Sequence, residues 1–315
     1  MFEYGFKHAV QGRLPFVHAY RANKVRAAML PEAQSDLAIS DVIISGLPSL
    51  IGRIGGTEAR VLSCALELSG RRRTLDGWLY SKLSMDKRKN QLQTGAGVYP
   101  IDSETLESFV DEHLRALEQV SIMGVWGTAF TWPELIALEN GAKAVPLVAT
   151  VARFWSMSEN QASWIHALTG KRVLVINGFV ESMKNQVPYL EQIYNESFPK
   201  CEFIFLKSPM SQGGLNDGQT WVDHLAKLKG EMSLIDFDIA LISAGGYALP
   251  LAAHAKKMGK IGINCGGELQ LLFGILGKRW EKYHIIQKYI NSYWIRPAEN
   301  ERPPNFLEIE GGCYW

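Results

Sequence analysis

The sequence predicts an α/β, Rossmann-like fold in which a mainly parallel sheet is covered by helices on both faces. Three observations carry that expectation. From Val120 onwards, apolar segments of strand length alternate with helical segments of ten or more residues. The strand segments, such as "RVLVI" and "DIALI", are continuous apolar runs, as burial on both faces requires. Five strand ends carry small or polar residues, where a parallel sheet presents its ligand-binding edge.

Residues 1–40 read as helix and loop, broken by Pro15 and Pro31. "DVIISG" and "SLIGRIG" are the first strand candidates, and the second runs into a helix that begins near Glu58. "RRRTLDGWLYSKLSMDKRKNQLQTGAGVYPID" is polar and punctuated by glycine, and helix is only loosely indicated there. Ser103, with Leu106 and Glu107, opens an amphipathic helix through "SETLESFVDEHLRALEQV". "VSIMGVWG" is a strand, and "TWPELIALENG" a helix with Pro133 near its first turn and Gly141 at its stop. "AKAVPLV" is a short strand, and "SENQASWIHALTG" a helix that ends at Gly170. "KRVLVING" leads into a helix through "ESMKNQVPYLEQIYNESF" that Pro188 bends or splits. After it, "CEFIFLK", "DFDIALISAGG" and "KIGINCGG" are strands; "TWVDHLAKLKGEMSLI", "ALPLAAHAKKMG" and "ELQLLFGILG" are the helices that follow them.

No repeat, low-complexity tract or linker interrupts the 315 residues, so one domain over 1–315 is expected, with 1–168 and 169–315 as its possible halves. A formal net charge of +1 does not favour a nucleic-acid partner, and the Arg71–Arg73 run reads as solvated loop. The four cysteines lie far apart without a CxxC pair, which suggests neither a zinc site nor a disulfide framework. No signal peptide and no apolar run of ~18 residues is visible. A cytoplasmic protein is expected, acting from the inner face if it serves a membrane pathway. The oligomeric state is not legible.

Ligands bind outside the carboxyl ends of parallel strands, where helix N-termini present N–H groups. The five ends here are "RIGGTE" (53–58), "VWGTAF" (125–130), "INGFVES" (176–182), "ISAGGYA" (242–248) and "NCGGELQ" (264–270). Three contain a glycine pair, which lets a backbone approach a phosphate closely; a plain turn is the alternative for any one of them. The candidate binding residues are therefore Gly55, Gly56, Thr57, Asn177, Ser243, Gly245, Gly246, Tyr247, Gly266, Gly267 and Gln270. Arg53 closes an apolar strand and so needs a partner, either Glu58 or a phosphate. Glu58 either supports the helix dipole or acts as a metal ligand or base. Asn177 and Glu268 also suit helix capping. The loop 208–219 has the composition of a lid, with Asp217 as a speculative catalytic group, and His254 reads as packed or superficial. Trp126, Trp132, Trp221 and Trp280 are mainly core candidates, although sugars stack on exposed indoles. The chain lacks G-x-G-x-x-G at a strand end, a P-loop, a Ser-His-Asp elbow and HExxH, which disfavours ordinary dehydrogenases, P-loop enzymes and covalent hydrolases.

The stretch "LISAGGYALPLAAHAKKMGKIGINCGGELQLLFGILGKRW" (241–280) resembles a segment of bacterial GT-D-type glycosyltransferases, which occur with surface-polysaccharide biosynthesis. "GRIGGTE" (52–58), "VLVINGFVESMKNQ" (173–186) and "EGGCYW" (310–315) resemble theirs as well, so the likeness runs from about Leu50 to Trp315. The resemblance implies a GT-D-like fold and transfer of a sugar from a nucleotide-sugar donor to a saccharide or lipid-linked acceptor. In that family an Asp-x-Glu motif follows an Arg-x-Gly lead-in. Here Arg53, Gly55 and Glu58 match, but Gly56 stands where the aspartate would be. Either one carboxylate with phosphates and waters holds Mn²⁺ or Mg²⁺, or the reaction is metal-independent. Arg53 and Glu58 are the catalytic residues so implied. A pyruvyl-type transferase of the same pathways, or a non-catalytic nucleotide-binding subunit of a polysaccharide assembly complex, are the alternatives. The aromatic tail either folds back over the cleft or packs as a plain terminus.

Overall fold

Alternate residues of a strand point to opposite faces, so an unbroken apolar run needs a core on each side. That is how the central strands are used. In β1 (Ser49–Arg53), Leu50 enters one core and Ile51 the other. In β4 (Arg172–Asn177), Leu174 and Ile176 face the first core while Val173 and Val175 face the second. The same alternation runs through β6 (Ile239–Ser243).

The computed structural model describes residues 20–72, 74–127, 131–151, 163–194, 198–212 and 217–315. With β2 (Ile122–Val125), β3 (Lys143–Pro146), β5 (Glu202–Lys207) and β7 (Ile261–Asn264), these strands form one seven-stranded sheet in the order β3-β2-β1-β7-β6-β4-β5. Every pairing is parallel. Ile51 is in register with Ile122 on one side and Ile263 on the other, so the β1–β7 ladder joins the first three strands to the last four. The helices 56–68, 103–117, 131–139, 221–233 and 248–257 build the first core, and 32–45, 164–168 and 190–194 contribute to the second. The α/β, Rossmann-like, parallel-sheet expectation holds.

Three expected elements differ. "DVIISG" is not a strand: it completes the helix Glu32–Ser45, whose Ile39 and Ile43 lie one turn apart and are both buried, and Gly46 ends it at φ +64°. The polar stretch after Arg73 contains a 22-residue helix, Leu75–Ala96, capped by the Thr74 hydroxyl on Gly77 N–H. The final expected helix shrinks to Leu269–Leu272, because Gly274 turns the chain at φ +64° and Ile275 pairs with Ile295. The "SENQASWIHALTG" segment retains a 3₁₀ turn at Trp164–Leu168, and the part before Ser163 lies outside the described residues. Pro188 does split its helix, into Val180–Gln186 and Leu190–Tyr194 around a 3₁₀ turn.

Candidate functional site

A cavity of about 600 Å³ opens at the carboxyl ends of β1, β7, β6 and β4. Two asparagines brace its floor. Asn264 donates from Nδ2 to the Arg53 carbonyl (2.8 Å) and accepts from Gly266 N–H (3.2 Å), tying β7 to β1. Asn177 donates to the Ser243 carbonyl (3.1 Å) and accepts from Phe179 N–H (2.7 Å), tying β4 to β6.

Of the residues singled out from the sequence, Arg53, Gly55, Gly56, Thr57, Glu58, Ser243, Gly245, Gly266, Gly267 and Gln270 line this cavity. Asn177, Gly246 and Tyr247 do not, and each has a structural reason. Asn177 spends its amide on the brace between strands. Gly246 is pressed against Val98, which a Cβ there would meet at 2.9 Å. Tyr247 is buried, stacked on Trp221 (centroids 5.8 Å), with its hydroxyl 3.3 Å from both His224 Nδ1 and Ser211 Oγ. The helix N-terminus after β4 is also taken: the buried Glu301 carboxylate accepts from the Glu181 (2.8 Å) and Ser182 (3.0 Å) N–H groups and from the Ser182 hydroxyl.

Arg53 is buried and its Nη1 lies 3.0 Å from Glu268 Oε2, so Glu268 is its ion-pair partner rather than Glu58. Glu58 occupies the third position of the helix Gly56–Leu68, and its carboxylate folds back over Gly55, where a Cβ would collide with it. Burial pushes the Glu58 carboxyl above its ordinary value, against a hydrogen bond to its own N–H and the pull of Arg53; Glu310 adds to the rise. Gln270 donates to the carbonyls of Ile275 (3.1 Å) and Tyr314 (3.2 Å), and its buried Oε1 has no hydrogen-bond partner.

The glycines permit close approach, but largely of the protein's own groups. Gly266, at φ +62°, leaves the space that the Arg53 guanidinium fills, 2.8 Å from where a Cβ would sit. Gly267 does the same for the Tyr314 ring at 2.5 Å.

Several lining residues were not singled out as site residues from the sequence. Arg60 follows Glu58 on the same helix, and Arg279 and Tyr283 come from the stretch after the helix Leu269–Leu272. Trp126, read as a core candidate, is 38% exposed on the cavity wall. Its indole N–H donates to the Ile54 carbonyl (2.9 Å), and its backbone N–H donates to the buried Glu134 carboxylate (2.6 Å). Burial pushes Glu134 up to about 7 despite hydrogen bonds from the Trp126 and Gly127 N–H groups. Trp221 and Trp280 are core, as read, while Trp132 is half-buried under Arg21, whose Cζ is 3.7 Å from the ring centroid.

The aromatic tail does fold over the cleft. Glu310, Gly311 and Gly312 are all at positive φ (49°, 69° and 77°), which reverses the chain and brings Tyr314 and Trp315 into the cavity wall. Arg279 N–H donates to the Cys313 carbonyl (2.9 Å), and the Arg279 guanidinium covers the Tyr314 ring at 4.7 Å and pairs with Glu310. Trp315 meets Phe179 edge-on at 5.5 Å. Of the expected lid, Ser208, Pro209, Met210 and Gln212 form one wall, while 213–216 lie outside the described residues. Asp217 is instead bonded to His224 Nε2 (2.9 Å). His254 lies 3.0 Å from the Ser233 hydroxyl rather than in the cavity.

The resemblance brings a divalent cation to this cavity, whose carboxylates come from Glu58, Glu268 and Glu310. Among the described residues no group of three or more His, Cys, Asp or Glu side chains is placed to hold a metal. Glu268 is engaged by Arg53, and Glu58 by its own helix terminus. No helix of the described residues is long and apolar enough to cross a membrane. Comparison with protein families, with curated proteins and with solved structures finds no match for the chain.

Proposed function

We propose that the chain is a glycosyltransferase that moves a sugar from a nucleotide-sugar donor to a saccharide or lipid-linked acceptor in cell-surface glycan synthesis. The supporting observation is the joint presence of Arg53, Arg60, Arg279 and Glu58 around one cavity at the carboxyl edge of a parallel sheet. Its volume, about 600 Å³, lies in the range of small-ligand sites. The resemblance noted in the sequence points to the same chemistry.

In this reading the arginines face the donor diphosphate and offset the charge that develops as the bond from anomeric carbon to phosphate oxygen breaks. The acceptor hydroxyl forms the new bond to that carbon, and its proton passes to Glu58. A carboxyl raised by burial is better matched to that transfer than an ordinary glutamate. Trp126 supplies a ring face for sugar or base, and Trp315 lines the same wall. No step is assigned to a metal.

The test is donor turnover by the purified chain across a panel of nucleotide sugars. Glu58→Gln keeps the side chain's size and removes the base, so turnover should fall about 10²-fold or more while nucleotide binding persists. Unchanged turnover in that variant contradicts the role. Turnover with phosphoenolpyruvate but no nucleotide sugar would instead indicate a pyruvyl-type transferase.

A further inference from the structure

The stretch from Lys278 to Tyr293 forms part of the cavity rim, to which it contributes Arg279 and Tyr283. Its inner side is firmly held. Trp280 and Ile286 are buried with Leu271 in a small satellite core, and Asn291 donates to the carbonyls of Gln192 (2.9 Å) and Ile193 (3.0 Å). The outer side is of a different character. Lys282, Tyr283, His284 and Ile285 are four consecutive exposed residues, followed by exposed Gln287 and Lys288. Tyr283 is 53% exposed, Ile285 51% and Tyr293 43%, and the Tyr293 ring lies 6.0 Å from that of Tyr189, also exposed.

The charge on this rim is one-sided. Between 278 and 296 the sequence holds five basic residues, Lys278, Arg279, Lys282, Lys288 and Arg296, against the single acid Glu281. Arg296 is paired with Glu281 and Arg279 with Glu310, so the net positive charge rests on Lys278, Lys282 and Lys288, all of them exposed.

We propose that this rim docks on a bilayer surface carrying anionic phospholipids. Tyr283, Ile285 and Tyr293 would enter the headgroup layer, and Lys278, Lys282 and Lys288 would meet lipid phosphates. Tyrosine suits that depth because its ring is apolar and its hydroxyl stays wet. Lysine stems lie along apolar surface while their ammonium groups reach the phosphates, and each lysine near an anionic membrane strengthens partitioning about fivefold. Tyr283 belongs to both rim and cavity, so docking turns the cavity mouth toward the lipid. Resting on the glycosyltransferase reading, the acceptor of this site is then lipid-linked rather than a free saccharide.

The test is flotation of the purified chain with vesicles of phosphatidylcholine alone and with phosphatidylglycerol added. The wild type should float with the anionic vesicles only, and raised salt should weaken the association. Lys282→Glu/Lys288→Glu should cut it at least tenfold, and Ile285→Ser, which leaves the net charge unchanged, should weaken it by removing apolar insertion. Unaltered thermal melts would show that the exposed substitutions leave the fold intact. Equal binding to both vesicle types, no binding to either, or wild-type binding by the lysine double variant overturns the proposal. Flotation needs neither donor nor acceptor, so its failure leaves the glycosyltransferase reading standing, and donor turnover tests that reading separately.

Discussion

The Arg53 guanidinium and the Glu268 carboxylate lie 3.0 Å apart, joining the end of β1 to the turn after β7 at the centre of the sheet's carboxyl edge. Removing the acid leaves a buried cation without its ion-pair partner. Glu268→Ala should therefore lower stability by about 2–3 kcal/mol, below the figure for a fully buried pair because Glu268 is partly exposed. Chemical denaturation of the two proteins at one pH checks this. A phosphate-bearing ligand in the cavity should restore part of the loss by supplying the missing negative charge.

Gly267 tests the packing of the tail against the cavity. A Cβ there would sit 2.5 Å from the Tyr314 ring, so Gly267→Ala should displace the 310–315 segment and cost about 1–3 kcal/mol. Gly70→Ala is the control: nothing lies within 4 Å of its Cβ, and only the strain of φ +77° is felt. Thermal melts, together with mass-resolved labelling of the Cys313 thiol, which is buried while the 310–315 segment stays in place, separate the two effects. Equal changes in both variants would mean that the tail does not press on Gly267.

Glu134 gives a pH dependence with a defined sign. Its carboxyl is buried and pushed up to about 7, and its Oε2 has no hydrogen-bond partner. The folded state then holds this proton more tightly than the unfolded chain. The resulting stability is fully present below the unfolded value of 4.5 and is lost as pH rises through about 7. Glu134→Gln cannot ionise, so its stability relative to wild type should increase between pH 5 and 8, by up to about 3 kcal/mol. A constant difference over that range would show that Glu134 ionises normally.

Trp126 offers an indole face that the Ile54 carbonyl and Glu134 hold in place. Trp126→Ala should weaken ligand binding in the cavity about tenfold through loss of ring stacking, with little change in the melting temperature because the ring is partly exposed. Titration calorimetry of wild type and variant measures it.

Much of the sheet was legible because "SLIGR", "RVLVI" and "IALIS" are short apolar runs set off by turn signals and alternating with helical segments, the pattern of strands buried on both faces. "DVIIS" was not, since a short apolar run fits a buried helix as well as a strand, and only the one-turn spacing of Ile39 and Ile43 against the sheet decides it. The helix Leu75–Ala96 was obscured by its polarity: much of its surface faces water, and its main contacts are with the helix Gly56–Leu68. The strand-end glycines did mark the cavity, but for a reason that sequence does not disclose. Gly55, Gly266 and Gly267 make room for Glu58, Arg53 and Tyr314, which arrive from within the fold. Arg279 and Tyr283 were missed as cavity residues because their place depends on the chain reversal after Gly274, which no local spacing encodes. Trp126 stands at the strand end "VWGTAF" but was read mainly as core, because a lone indole in sequence does not show which side it exposes.

The most direct measurement is the thermal stability of the purified chain with a panel of nucleoside mono- and diphosphates, with and without Mn²⁺. A diphosphate that fits the Arg53–Arg60–Arg279 cavity should stabilise the chain by ~2.7 kcal/mol at a hundredfold excess over its dissociation constant. Arg279→Ala should abolish most of that shift. No shift with any nucleotide, or an undiminished shift in Arg279→Ala, would contradict a nucleotide-sugar site in this cavity.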